Sequence, residues 1–199
     1  MTTHVSYLRG NADTSFKVQS GFIAAYRSTF GGAPYYESYS SEEVFTKIWE
    51  PHITCGIVIL ALQAQRVIGF GCCLPLFDAP SDVQVFLRER QTASEFAGNF
   101  TSTWYMSELG VLEPFRRRGI GRRLNREQLS IIQQIGGTQY VLRTAAVGSN
   151  SVHLYQKLGA TELTNSQDVS ALDQVQVNQS QSTKRIYLHG SCVDALAQL

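Results

Sequence analysis

A mixed α/β fold of the α+β type, with a mostly antiparallel central sheet flanked by helices, follows from three observations. Two apolar, β-branched runs, "CGIVILAL" and "RVIGFGCCLPL", meet across "QAQR" and read as a central hairpin partly buried on both faces. Strand-like and helix-like segments are mixed along the rest of the chain, with no internal repeat and no interdomain linker. "IGRRLNREQLSIIQQIGG" places Ile120, Leu124, Ile131 and Ile135 on one helical stripe, with Gly136–Gly137 as its stop. A length of 199 residues suits a single domain over 1–199, and 43% hydrophobic against 17% charged residues is a globular balance.

The elements can be justified in order. "HVSYL" is a first strand. "SFKVQSGFIAAYRSTF" has Phe16, Gln19, Ile23, Tyr26 and Phe30 at helical spacing, with Phe22 on a flank. "GGAPYYESYS" breaks that helix, and "SSEEVFTKIWE" begins a short second one with a serine cap and Glu42 and Glu43 in its first turn, stopped by Pro51. After the hairpin, "SDVQVFLRERQ" is a helix, "STWYMSELGVL" a strand and "TQYVLRT" another. "NSVHLYQKLG" is a helix capped by Asn150 and closed by Gly159, with Leu154 and Leu158 as its inward pair and Tyr155 on another face. The polar stretch 164–182 is expected as a surface loop before a last strand, "TKRIYLHG".

Charge narrows the function. The 17 Lys and Arg against 16 Asp and Glu leave a net charge of +1, which argues against a nucleic-acid or membrane-surface binder with its broad basic field. Cys55, Cys72, Cys73 and Cys192 show no CxxC spacing and read as reduced, mostly buried thiols. The N-terminal stretch has no apolar signal region and no run is long enough to span a bilayer, so a cytoplasmic protein is expected. The histidines show no metal spacing, and no metal is expected.

Against that neutral background, "EPFRRRGIGRRL" packs five arginines and two glycines into twelve positions. It lies between a strand and a helix. A helix N-terminus presents unpaired N–H groups and partial positive charge, and Gly119 and Gly121 let the backbone approach a phosphate without a Cβ between. Arginines add charge-assisted hydrogen bonds to phosphate oxygens. Together these describe a diphosphate cradle. A Walker loop is excluded because no Gly-Lys-Ser/Thr ending is present, and a dinucleotide fingerprint because Leu124 stands where a third glycine belongs.

"ELGVLEPFRRRGIGRRL" resembles the acetyl-coenzyme A signature of the GNAT superfamily of N-acetyltransferases, Arg/Gln-x-x-Gly-x-Gly/Ala, here Arg116, Gly119 and Gly121. "YVLRTAAVGSNSVHLYQKLGATEL" resembles the family's second motif and supplies Asn150 and Tyr155 in register. The two motifs cover Trp104 to Leu163 in the correct order. One departure stands out: where many members have a glycine, this chain has Arg117.

The resemblance implies the acyl-CoA N-acyltransferase fold and acetyl transfer from acetyl-coenzyme A to a primary amine of a small molecule or peptide, by direct attack in a ternary complex. It assigns the phosphates to Arg116, Arg117, Arg118, Gly119, Ile120, Gly121 and Arg122, with Asn150 also on the coenzyme side. Main-chain contacts to the pantetheine arm fall to Leu109, Gly110 and Val111. Glu108 is the candidate general base, directly or through a water, with an ordinary strand carboxylate or a contact to the substrate's positive charge as the alternatives and Glu37 as the second candidate base. Tyr155 resembles the family's general acid. With reference pKa values of about 10 for tyrosine and about 8.5 for a thiol, full transfer to the thiolate is uphill by roughly 2 kcal/mol, so a late hydrogen-bond donor is the better description.

The loop between the first two helices commonly shapes the acceptor pocket in this family. Here that points to Phe30, Tyr35, Tyr36 and Glu37, which suit a small cationic amine or simply pack over the sheet. A non-catalytic coenzyme A-binding module is the rival reading, and a homodimer is left open.

Overall fold

The computed structural model describes residues 4–32, 35–146, 150–163, 167–168 and 184–199, without the side chains of residues 150, 167 and 168. Contacts divide the chain into two compact units, residues 1–73 with 108–128 and residues 74–107 with 129–199. The strand β4 (Thr103–Val111) and the helix α5 (Ile120–Gln134) each contribute one end to either unit.

In the first unit the strands are ordered β1 (Val5–Gly10), β2 (Ile57–Gln63), β3 (Arg66–Pro75) and β4. β1 pairs antiparallel with β2, Val5 opposite Gln63, and β2 pairs antiparallel with β3, Ile57 opposite Cys73. β2 and β3 are buried over most of their length, as their unbroken apolar runs predict. Their turn, Ala64–Gln65, has both residues at positive φ, 48° and 64°, the twist that a two-residue hairpin demands.

Helix α1 (Phe16–Phe30) buries Phe22, Ala25, Tyr26 and Phe30, while Phe16 is 79% exposed. The inward stripe is therefore centred on Phe22, not on a line from Phe16. Phe22 sits between the rings of Trp49 and Phe70, at 5.1 and 5.2 Å, where the core needs its bulk. The second helical segment also departs from expectation at Pro51. It runs as α2 (Ser41–Val44), a π-helical stretch Phe45–Trp49 and α3 (Glu50–Cys55). Glu50 donates to the Phe45 carbonyl five residues back, so the α-type ladder restarts there and Pro51 falls in a first turn, where its missing N–H costs nothing. The predicted serine cap is Ser40, which forms a reciprocal capping box with Glu43.

In the second unit β4 pairs in parallel with β5 (Gln139–Ala145), β5 antiparallel with β8 (Lys184–Ser191), and β8 antiparallel with β6 (Thr161–Glu162) and β7 (Gln167–Asp168). The β4–β5 ladder joins Thr103–Tyr105 to Gln139–Val141, beyond which β4 runs on to Val111 and β5 to Ala145. Gln167 and Asp168 thus pair as a strand inside the stretch expected to be loop, and its other positions lie outside the described residues. The unit's core gathers Val83, Phe86 and Leu87 of α4 (Ser81–Thr92) with Tyr105, Val141 and Tyr187, and Phe86 stacks on Tyr187 at 4.3 Å.

A helix missed in the sequence, α7 (Cys192–Gln198), closes the chain, with Ser191 capping it by accepting from the Asp194 N–H. On α5 the buried line is Ile120, Leu124, Gln128, Leu129 and Ile132, and Ile135 is 56% exposed. The helix ends as expected: Gly136 takes φ 87° and Gly137 donates back to the Ile132 carbonyl. Among the described residues no helix is long and apolar enough to cross a membrane.

Candidate active site

The arginine–glycine segment begins where β4 ends. Glu113–Phe115 makes one 3₁₀ turn, with Phe115 donating to the Leu112 carbonyl at 2.8 Å. Arg116 to Gly119 are then exposed, and Ile120 buries itself to start α5, with Arg123 donating to the Gly119 carbonyl as its first full turn. Gly119 has φ 78° with open space where a Cβ would stand. Arg117 has φ 61°, so the position where the motif departs from glycine does adopt the left-handed backbone that favours glycine.

The five arginines are not equivalent. Arg116 donates its Nε–H to the Val111 carbonyl at 3.0 Å. Arg118 lies over the Phe115 ring at 5.5 Å. Arg123 pairs with Glu127 at 2.6 Å and covers the Tyr7 ring. Arg117 makes no hydrogen bond or ion pair among the described residues. An exposed, left-handed loop opening a fifteen-residue helix, with cations around it, fits the phosphates of coenzyme A. Of the three β4 residues expected to hold a pantetheine arm, Leu109 and Val111 are half-buried. Gly110 is buried, and the Phe70 ring fills the space a Cβ there would need.

Further back on β4, Glu108 is half-buried and acts electrostatically on two neighbours, the Tyr26 hydroxyl and the Cys72 thiol. Tyr26 is 2% exposed, and its hydroxyl donates to Glu37 Oε2 at 3.3 Å. Burial, and then the carboxylates of Glu108 and Glu37, push Tyr26 ionisation well above its ordinary range, so it stays a neutral donor. Burial and Glu108 do the same to Cys72.

Glu37 sits on the loop between α1 and α2, where its N–H donates to the Phe30 carbonyl at 2.9 Å. Of the other loop candidates, Phe30 belongs to the core, Tyr35 meets it edge-on at 5.1 Å, and Tyr36 is exposed at φ 50°. The structure thus brings Glu37 to the Tyr26 hydroxyl, on which Glu108 also acts electrostatically. In the sequence Tyr26 stands only as a position on the apolar stripe; the signal for more is a tyrosine where a phenylalanine would fill the stripe, since a buried hydroxyl needs a partner.

Asn150 and Tyr155 belong to the second unit. Helix α6 (Asn150–Gln156) is tied to β5 by the Ser151 and Thr144 hydroxyls, 2.7 Å apart. Tyr155 is 2% exposed and tilts against Tyr140 at 5.9 Å. The buried residues here are Tyr155 on the helix and Leu158 in the turn that follows it, whereas Leu154 is only half-buried, because the ring is the larger surface to cover. The helix closes with Gly159 at φ 80° and Ala160 donating to the Tyr155 carbonyl, as the glycine predicted. The side chain of Asn150 lies outside the described residues.

Comparison with known proteins bears on the family and the fold. The acetyltransferase (GNAT) family profile matches residues 23–160. No curated protein matches the chain. Its fold is similar to that of an N-acetyltransferase from Staphylococcus aureus Mu50, at 12% identity and a TM-score of 0.66, covering 94% of this chain and 99% of that one. It is also similar to the ribosomal-protein-S18-alanine N-acetyltransferase from Escherichia coli, at 12% identity, a TM-score of 0.61 and 94% of each chain. A third is a GNAT family acetyltransferase from Elizabethkingia anophelis with acetyl-CoA bound, at 17% identity and a TM-score of 0.59, covering 94% and 97%.

Proposed function

Since the chain belongs to the acetyltransferase (GNAT) family, and is thereby an acyltransferase enzyme, we propose that it acetylates a primary amine of a small molecule or peptide. The whole chain serves as one catalytic domain, and the acetyl group passes by direct attack in a ternary complex. The observation that carries this reading is the arginine–glycine loop, exposed and left-handed at Arg117 and Gly119, at the start of α5. Acetyl-coenzyme A supplies the acetyl group and a thiolate leaving group. The free thiols of the chain suit a reducing compartment, and the cytoplasm is the proposed location.

The chain's own residues divide the work. Arg116, Arg117, Arg118 and Arg122 neutralise phosphate charge, while the amides of Arg117, Arg118, Gly119, Ile120 and Gly121 are the backbone donors that would meet phosphate, the Arg116 amide being taken by the Glu113 carbonyl. Leu109, Gly110 and Val111 offer main-chain hydrogen bonds; the Val111 carbonyl already accepts from Arg116 and keeps a second lone pair. Asn150 completes the coenzyme side. Glu108 removes the proton from the acceptor ammonium, directly or through a water, a necessary step because a lysine-like amine has a reference pKa of about 10.4. Tyr155 donates a hydrogen bond to the departing sulfur and gives up its proton late. Tyr36 and Glu37 meet the acceptor on the loop backed by Phe30 and Tyr35. A peptide α-amine stays within this acceptor class, in keeping with the E. coli neighbour's substrate.

The first test is a melting curve with acetyl-coenzyme A, with ATP and NAD as controls, followed by mass spectrometry of an amine panel. Ligand at about 100 times its Kd should add about 2.7 kcal/mol, a rise of about 5–10 °C for a chain of this size. A rise together with an acetylated amine supports the reading. A rise with no product from any amine moves the protein to a binding module, and no rise removes the cradle.

A further inference from the structure

We propose that Tyr26 is a positioning residue for the acceptor, its hydroxyl holding the Glu37 carboxylate on the loop between α1 and α2. The inference rests on the acceptor site proposed above and adds a residue that no motif marks.

The ring of Tyr26 has little freedom. It lies 4.7 Å from Phe30, 5.7 Å from Phe70 in a stacked arrangement and 6.1 Å from Phe22, so the core fixes where its hydroxyl emerges. Packing alone would be served by phenylalanine. A hydroxyl carried into a site 2% exposed costs desolvation unless it is bonded, and here it donates to Glu37 Oε2 at 3.3 Å.

The partner arrives on a loop with its own backbone ties. Gly31 donates to Arg27, Tyr36 to Gly32 and Glu37 to Phe30, each at 2.9 Å. The main chain therefore brings Glu37 near, and the Tyr26 hydroxyl is one tie on its carboxylate. Burial first, and then the Glu108 and Glu37 carboxylates, hold this hydroxyl's pKa well above the ordinary tyrosine value, which keeps it a neutral donor. A carboxylate held beside a neutral donor makes a place where an ammonium is favoured over a neutral group, which is the charge of the incoming acceptor. Tyr26 touches neither substrate in this account; it acts through Glu37.

The test uses Tyr26→Phe, Glu37→Gln and the double variant in the full chain, with an amine that the wild-type enzyme acetylates. Tyr26→Phe should raise the acceptor KM about three- to tenfold, the fold-change of one hydrogen bond of ordinary net strength, with the acetyl-coenzyme A KM unmoved. The double variant should be no worse than Glu37→Gln alone, because the tyrosine works through that carboxylate. An unchanged acceptor KM, additive losses in the double variant, or a rise in both KM values alongside a lower Tm would each overturn the inference and leave acetyl transfer standing. Should Tyr26→Phe fail to fold, Glu37→Gln on the half-buried loop decides alone: an acceptor KM at the wild-type value overturns the inference.

Should the wild type acetylate no amine, calorimetric amine binding replaces KM. A weaker Kd in Tyr26→Phe then supports the tether while the catalytic reading falls. Absence of both binding and transfer overturns the two together.

Discussion

Arg117 holds a backbone conformation that costs a residue with a Cβ about 1–2 kcal/mol, and it does so with no hydrogen bond or ion pair among the described residues. A strained, exposed cation at a helix start is best accounted for by what it meets there. Arg117→Gly would relieve the strain and add back about 0.4–1 kcal/mol of unfolded-chain entropy, so Tm should hold or rise slightly. The Kd for acetyl-coenzyme A should meanwhile weaken several-fold by calorimetry; an unaltered Kd would leave Arg117 outside the phosphate site. Tyr155 is argued the same way. Its ring packs on Tyr140, so Tyr155→Phe should fold and bind acetyl-coenzyme A normally while turnover falls about a hundredfold, the lower end of acid–base effects. Full turnover in that variant would take Tyr155 out of the mechanism.

Among the elements, α3 carries a buried titratable group. His52 donates its Nδ1–H to the Ile48 carbonyl at 2.5 Å, and burial pushes its pKa down to about 4. The unfolded chain takes up that proton near pH 6.5, before the folded one does, so its stabilising effect is full above pH 6.5 and fades as pH falls toward 4. Urea titrations should show a loss of roughly 2 kcal/mol between pH 7 and 4.5, removed by His52→Gln. On β4, Gly110→Ala would drive a Cβ into the Phe70 ring and should cost about 1–3 kcal/mol, read as a lower Tm. These elements also mark where the sequence was legible. The hairpin, α5 and the arginine–glycine loop were readable because each rests on neighbours in the chain. The continuation through Pro51 was not, since it depends on a shift of helical register that no residue type announces. Nor was the Tyr26–Glu37 contact, which joins a buried helix position to a loop residue eleven positions later.

Over the whole molecule, a net charge of +1 means that any salt dependence of coenzyme binding belongs to the loop and not to a general field. Affinity for acetyl-coenzyme A should fall with ionic strength while duplex DNA and RNA show no retained complex in a filter assay; salt-sensitive nucleic-acid retention would point to a different use of the arginines. The distribution of sulfur has a practical side. Cys72, Cys73 and Cys192 are buried, whereas Cys55, at the end of α3, is exposed. The native protein should therefore give up one thiol equivalent rapidly to a disulfide reagent, and the denatured chain all four. The protein thus carries its own colorimetric gauge of unfolding, and one natural attachment point for a fluorophore, with no engineered cysteine required.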